Sequence, residues 1–132
     1  MVNAIDKHFE EIVGNGHEKG NLQIYPILVY SDNSLDIEGI NYYLNNRFLK
    51  ILRSRNIRTD IKVKDLVMVN INTLIMFEKA FADKKIKFDI LINDFISYKE
   101  SKEQYKVVPF NKYLFQKAKN RGCFYKISNL AK

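Results

Sequence analysis

Two short, continuously apolar runs, separated by one long amphipathic segment, constrain this chain more than any other feature. The first, Ile27-Leu28-Val29-Tyr30, closes a strand read over residues 22–31, and the second lies in residues 64–71. Unbroken apolar runs fit strands covered on both faces, whereas a strand with one wet face alternates. Between the runs, Ile37, Ile40, Leu44, Phe48, Ile51 and Leu52 share one side of a helix over residues 37–55. Asn41, Asn45, Asn46, Lys50 and Arg53 point away from that stripe, and Asn56 ends the helix. Strand, helix and strand in this order form a βαβ unit with parallel strands and a right-handed crossover.

The flanking segments read as helical. Val2, Ile5, Phe9, Ile12 and Val13 share one face of a helix over residues 2–13, which the glycines between Gly14 and Gly20 end. Pro26 cannot donate to a ladder and should sit near the start of its strand or on an edge. Asp36 or Ser34 can cap the long helix, and Asn72 or Thr73 a helix reaching Asp83. Residues 87–99 form another. After a polar link, Pro109 opens a last helix through Asn120, Gly122 ends it, and Cys123–Ile127 add a short edge strand. The reading is one α/β domain over residues 1–132: a helix, a βαβ unit with parallel strands, then a helical C-terminal part. The first helix starts almost at Met1 with no capping residue, the pattern of a segment belonging to a longer protein.

With 46% hydrophobic residues, the chain is not of the disordered class. No run approaches the roughly 18–20 apolar residues that span a bilayer, so no membrane partner is expected. Cys123 is the only cysteine, which excludes an internal disulfide and fits a cytoplasmic location. The net charge of +7 admits DNA or RNA as a partner. Abundant Lys, Asn and Ile with scarce Gly are also what an AT-rich coding sequence produces, so composition alone does not decide this.

Several patterns can be weighed as sites. The glycines of residues 14–20 follow a helix and precede a strand, the reverse of the order that cradles phosphate. His8, His17 and Cys123 do not complete a zinc set, and no metal or cofactor is implied. Asp60-Ile61-Lys62 has the acid-x-Lys form of metal-dependent nucleases, but the nearest earlier acids, Asp32 and Asp36, lie across the long helix rather than a hairpin turn. Asp32 and Asn33, with Asn70 and Asn72, fall at the carboxyl ends of neighbouring parallel strands, where open α/β sheets take ligands; helix capping is their other role. Arg47, Lys50, Arg53, Arg55, Arg58, Lys62 and Lys64 run from the long helix into the second strand as a candidate nucleic-acid surface. Lys112, Lys117, Lys119, Arg121 and Lys126 interleave with Phe110, Tyr113, Phe115, Phe124 and Tyr125, which suits phosphates and stacked bases, or equally a core-facing helix with solvated lysines. The apolar face of the N-terminal helix is a candidate contact for a second copy of the chain.

The helix ending at Val13, the strand Gln23–Tyr30 with the run Ile24–Asp32, and Gly39-Ile40-Asn41 on the following helix resemble the later half of restriction-endonuclease-like, PD-(D/E)XK-type proteins. The resemblance covers roughly residues 1–71 and rests on element order and hydrophobic pattern. It implies a post-hairpin helix at Asn3–Val13 and a last core strand at Lys64–Ile71. The family's catalytic acid and acid-x-Lys would precede Met1, so the resemblance implies a non-catalytic, nucleic-acid-associated part of a nuclease-like protein. The other reading is a protein-interaction or oligomerisation module without enzymatic activity.

Overall fold

Backbone hydrogen bonding divides the first expected strand in two and places a further short strand ahead of the second. The computed structural model describes residues 22–55, 61–83 and 85–120. The expected N-terminal helix with its glycines and histidines, Asn56, Arg58 and Asp60, and the C-terminal strand at Cys123–Ile127 lie outside the described residues. Strand β1 (Leu22–Ile24) runs parallel to β3 (Ile61–Val63), and β2 (Ile27–Tyr30) parallel to β4 (Val67–Asn70). The second strand therefore starts earlier than its apolar run and stops at Asn70, so Ile71, read as strand, begins a helix. Ile24 pairs with Val63, but Ile27 with Val67, so the second strand carries one extra residue between the pairings. This is a bulge. Lys64 N–H donates to Ile24 C=O at 2.9 Å and Val67 N–H to Pro26 C=O at 3.1 Å, with Asp65 and Leu66 between. Pro26 has no N–H to offer the partner strand, and the bulge falls opposite it.

Helix α1 (Ile40–Ser54) connects β2 to β3. Gly39 is its first flanking residue, at φ +92°, a conformation that favours glycine. The expected caps do not reach it. Asp32 instead accepts from Ser34 N–H and starts a 3-10 turn, Asn33–Leu35. Phe48 and Leu66 form a small core with Ile24, Leu44, Leu49, Leu52 and Val63. Ile37 and Ile51, counted in the apolar stripe, are 56% and 45% exposed, whereas Asn41 and Asn45, read as outward, are each only 7% exposed.

The reason is the bulge. Asn41 Nδ2 donates to Leu66 C=O at 2.8 Å and its Oδ1 accepts Met68 N–H at 2.9 Å; Asn45 Oδ1 accepts Leu66 N–H at 2.8 Å. Backbone groups on the outer edge of β4 thus meet helix amides rather than another strand. A leucine at either position would bury more carbon and leave those groups unsatisfied.

The opposite face of the strands carries the main core. Val67 and Val69 meet Phe77, Leu91, Ile92, Phe95, Phe110 and Leu114, with Ile27 packed against them. Phe77 lies at the junction of α2 (Ile71–Met76), whose Leu74 packs alongside, and α3 (Glu78–Ala82), and the others come from α4 (Phe88–Ser101) and α5 (Phe110–Asn120). The single helix expected up to Asp83 is thus two short ones. Phe77, fully buried, sits between them edge-on to Phe115 at 5.3 Å. The expected helices over residues 87–99 and from Pro109 are present as α4 and α5. The result is α/β, with α1 on one side of the parallel strands and the later helices on the other. Asn41→Leu should lower unfolding free energy by about 2–4 kcal/mol, because two buried backbone groups lose their partners. Urea denaturation measures this; a loss below about 0.5 kcal/mol would contradict the assigned role.

Candidate functional site

The carboxyl ends of β2 and β4 hold a compact polar cluster. Asn70, nearly fully buried, donates from Nδ2 to Asn33 Oδ1 at 2.8 Å and to the Asp36 carboxylate at 3.0 Å and 3.2 Å. Its Oδ1 accepts Asn72 N–H at 2.9 Å, capping α2. Asn72 Nδ2 lies 3.4 Å from Asn33 Oδ1 and 3.5 Å from Ser31 C=O. The Tyr30 hydroxyl donates to Asp36. Burial first, then the Asp36 hydrogen bond and charge, push the Tyr30 phenol well above its ordinary range.

The structure therefore brings Asn33, Asn70 and Asn72 together, as their positions after parallel strands require. Asp32 turns to Ser34, whose hydroxyl and backbone N–H hold its carboxyl below the ordinary range. Tyr30 and Asp36 belong to the cluster but were not singled out by spacing. Tyr30 ended an apolar run, and Asp36 read as a helix cap. The buried Asn70 amide is committed to these internal bonds, so the cluster acts as a clasp between the turn after β2 and the start of α2. Among the described residues, no three His, Cys, Asp or Glu side chains converge to hold a metal ion.

Of the basic residues, Arg47, Lys50, Arg53 and Arg55 lie exposed on α1 or at its end. No acidic residue occurs within α1. Arg47 and Lys50 follow Tyr43 at helical spacing, and Tyr43 is 58% exposed. The Arg47 guanidinium sits 5.9 Å from the Tyr43 ring centroid, with Nη1 3.4 Å from its hydroxyl. Lys62 is not part of this surface. Ile24 and Val63 face α1, so side-chain alternation turns Gln23 and Lys62 to the other side. Lys64 is half-buried at the bulge, and Arg58 lies outside the described residues. Two rings of the second basic cluster are corrected: Phe110 and Tyr113 are buried in the core and cannot stack on bases, Phe115 is half-buried against that core, and Phe124 and Tyr125 lie outside the described residues. Lys112 pairs with Glu38 at 3.3 Å.

Lys99 is a charged residue that pattern reading missed. It is 6% exposed, with Nζ 4.7 Å from the Phe95 ring centroid one helical turn earlier. Burial pushes its amine below the ordinary lysine value of 10.5, while the Asp65 and Glu100 charges oppose the shift. Its register after Phe95 on the buried face was the available signal.

No helix among the described residues is long and apolar enough to cross a membrane. The fold and cluster define a small parallel α/β domain whose strand ends are tied by their own hydrogen bonds. No protein-family model matches the chain, and neither does any curated protein or solved structure.

The lowered lysine value fixes a pH dependence. Between that value and 10.5 the unfolded chain binds more protons than the folded one, so Lys99 costs less as pH rises; below the window its full penalty is present. Lys99→Met should raise stability near neutral pH by about 1 kcal/mol or more, and its advantage over wild type should shrink toward pH 10. Thermal unfolding of both proteins across this range checks the sign; a constant difference would contradict it.

Proposed function

We propose that this domain binds nucleic acid without cleaving it, through the outer face of α1. The observation that carries the reading is a helix with no acidic residue that exposes Arg47, Lys50 and Arg53 in succession beside Tyr43. Spacings of three residues place these cations about 4.5 Å apart along the axis, close enough to act together on a phosphate backbone. Arg55 extends the row past the helix end. A relationship to the restriction-endonuclease-like proteins belongs to the same proposal, as does a cytoplasmic site of action. No hydrolytic step is assigned to the chain.

Phosphate contacts release condensed counterions, so affinity should fall steeply with salt. With four cations engaged, log K against log salt should have a slope of about −3.6 on duplex DNA and about −2.8 on single strands. The combined variant Arg47→Glu, Lys50→Glu, Arg53→Glu should lose at least tenfold in affinity while keeping its melting temperature within a few degrees. Fluorescence anisotropy with labelled DNA and RNA oligonucleotides measures the salt slope and the affinity, and thermal unfolding followed by circular dichroism measures the melting temperature. Absent binding, or binding insensitive to salt, would overturn the reading. A second reading, an interaction or oligomerisation module, is favoured by the uncharged outer edge of β2.

A further inference from the structure

The two edges of the strand pair are treated differently. Residues of a strand direct their backbone groups alternately to either side. Val67 N–H donates across the pair to Pro26 C=O, so Val67 and Val69 face β2 and Met68 faces away, where Asn41 receives it. Leu66, at the bulge, is likewise bound by Asn41 and Asn45. The β4 edge is therefore sealed by α1. On β2 the same ladder turns Leu28 and Tyr30 toward β4, which leaves the N–H and C=O of Ile27 and Val29 directed outward.

Among the described residues no strand pairs with that outer edge. The side chains along it are open as well: Val29 is 50% exposed and Leu28 is 39% exposed. Natural sheets blunt such edges with charged side chains, proline or bulges. Here no charged residue occurs from Gly20 to Ser31, in a chain of net charge +7. A bulge and two amides protect one edge, and among the described residues nothing comparable protects the other.

We propose that β2 pairs antiparallel with β2 of a second copy of this chain, giving a two-fold dimer with one continuous sheet. The pattern is self-complementary. With Leu28 on the two-fold axis, Ile27 of each chain faces Val29 of the other, and each of these pairs exchanges both backbone hydrogen bonds. Leu28 meets its own copy in the close, non-hydrogen-bonded position, and the exposed Val29 side chains are covered. No like charges oppose one another, because the strand carries none. An acidic or basic partner strand would find no complementary charge along this edge, whereas a second copy matches it in neutrality and in register. The Asn41 and Asn45 seal makes the assembly finite. With the β4 side taken up by the helix amides, pairing through β2 closes at a dimer instead of propagating as a fibre. It also gives an isolated two-stranded ribbon the additional strands that such ribbons ordinarily need.

The test is amide hydrogen exchange by NMR on the full chain at several concentrations, alongside sedimentation equilibrium. The dimer predicts that Ile27 and Val29 amides become at least tenfold better protected as concentration rises, with the mass moving from 15.6 kDa to twice that value. Leu28 and Tyr30 amides, bonded to β4, should stay protected throughout and report an intact fold. Val29→Lys, which places a charge on the edge, should weaken dimerisation at least tenfold with Leu28 and Tyr30 protection retained. Should that variant lose the fold, the wild-type exchange pattern decides alone. A monomer at all accessible concentrations overturns the proposal. So does a dimer in which Ile27 and Val29 amides still exchange freely, because association would then use another surface.

Discussion

The bonds from Asn41 and Asn45 to the backbone at Leu66 and Met68 are the constraint on which the rest of this structure depends. A parallel strand pair in the middle of a small domain has two edges, and a bulge opposite Pro26 interrupts its own ladder. Without partners, the backbone groups there would be buried and unsatisfied, each at a cost that a domain of this size can hardly absorb. Two carboxamides on α1 supply those partners and in doing so fix how the helix lies. Phe48, Leu44 and Leu52 then meet Ile24 and Val63, and the small core on that side follows.

The second set of polar contacts does for the strand ends what the first does for the edge. Asn70 terminates β4, caps α2, and joins Asn33 and Asp36 in the turn that follows β2. Chain direction reverses on both sides of the sheet at this level, so a buried amide with several donors and acceptors suits the place better than any apolar residue. Polar groups at strand ends in α/β folds often await a ligand; here they are engaged with one another. The chemistry of the chain is accordingly sought on its surface, where α1 presents cations and β2 presents backbone.

Those two surfaces are built from opposite kinds of side chain. The outer face of α1 carries arginine and lysine with no acid between them, and charge of one sign attracts polyanions over distances of about a Debye length. The β2 edge carries no charge and acts only at hydrogen-bonding distance. Because α1 lies against the β4 side of the sheet, a dimer formed through β2 would leave the cations of both copies uncovered. The two proposals therefore describe surfaces that can be used together.

The apolar runs, their separation by a long helix and the helical tail were legible in the sequence, because each depends on periodicity within one segment. That is why the α/β class, the parallel pairing and the presence of α4 and α5 could be read directly. Asn33, Asn70 and Asn72 were legible as neighbours for a related reason: parallel strands bring their carboxyl ends together. What only the tertiary structure decided were the contacts between segments. Asn41 and Asn45 read as outward because their partners are backbone atoms 21 to 27 residues away, invisible to any helical wheel. Phe110 and Tyr113 could have served bases or core with the same spacing, and packing against Phe95 settled it. Lys62 read as continuous with the basic helix until pleating turned it to the other face. Periodicity states which residues share a side; which side is covered, and by what, is a property of the assembled fold.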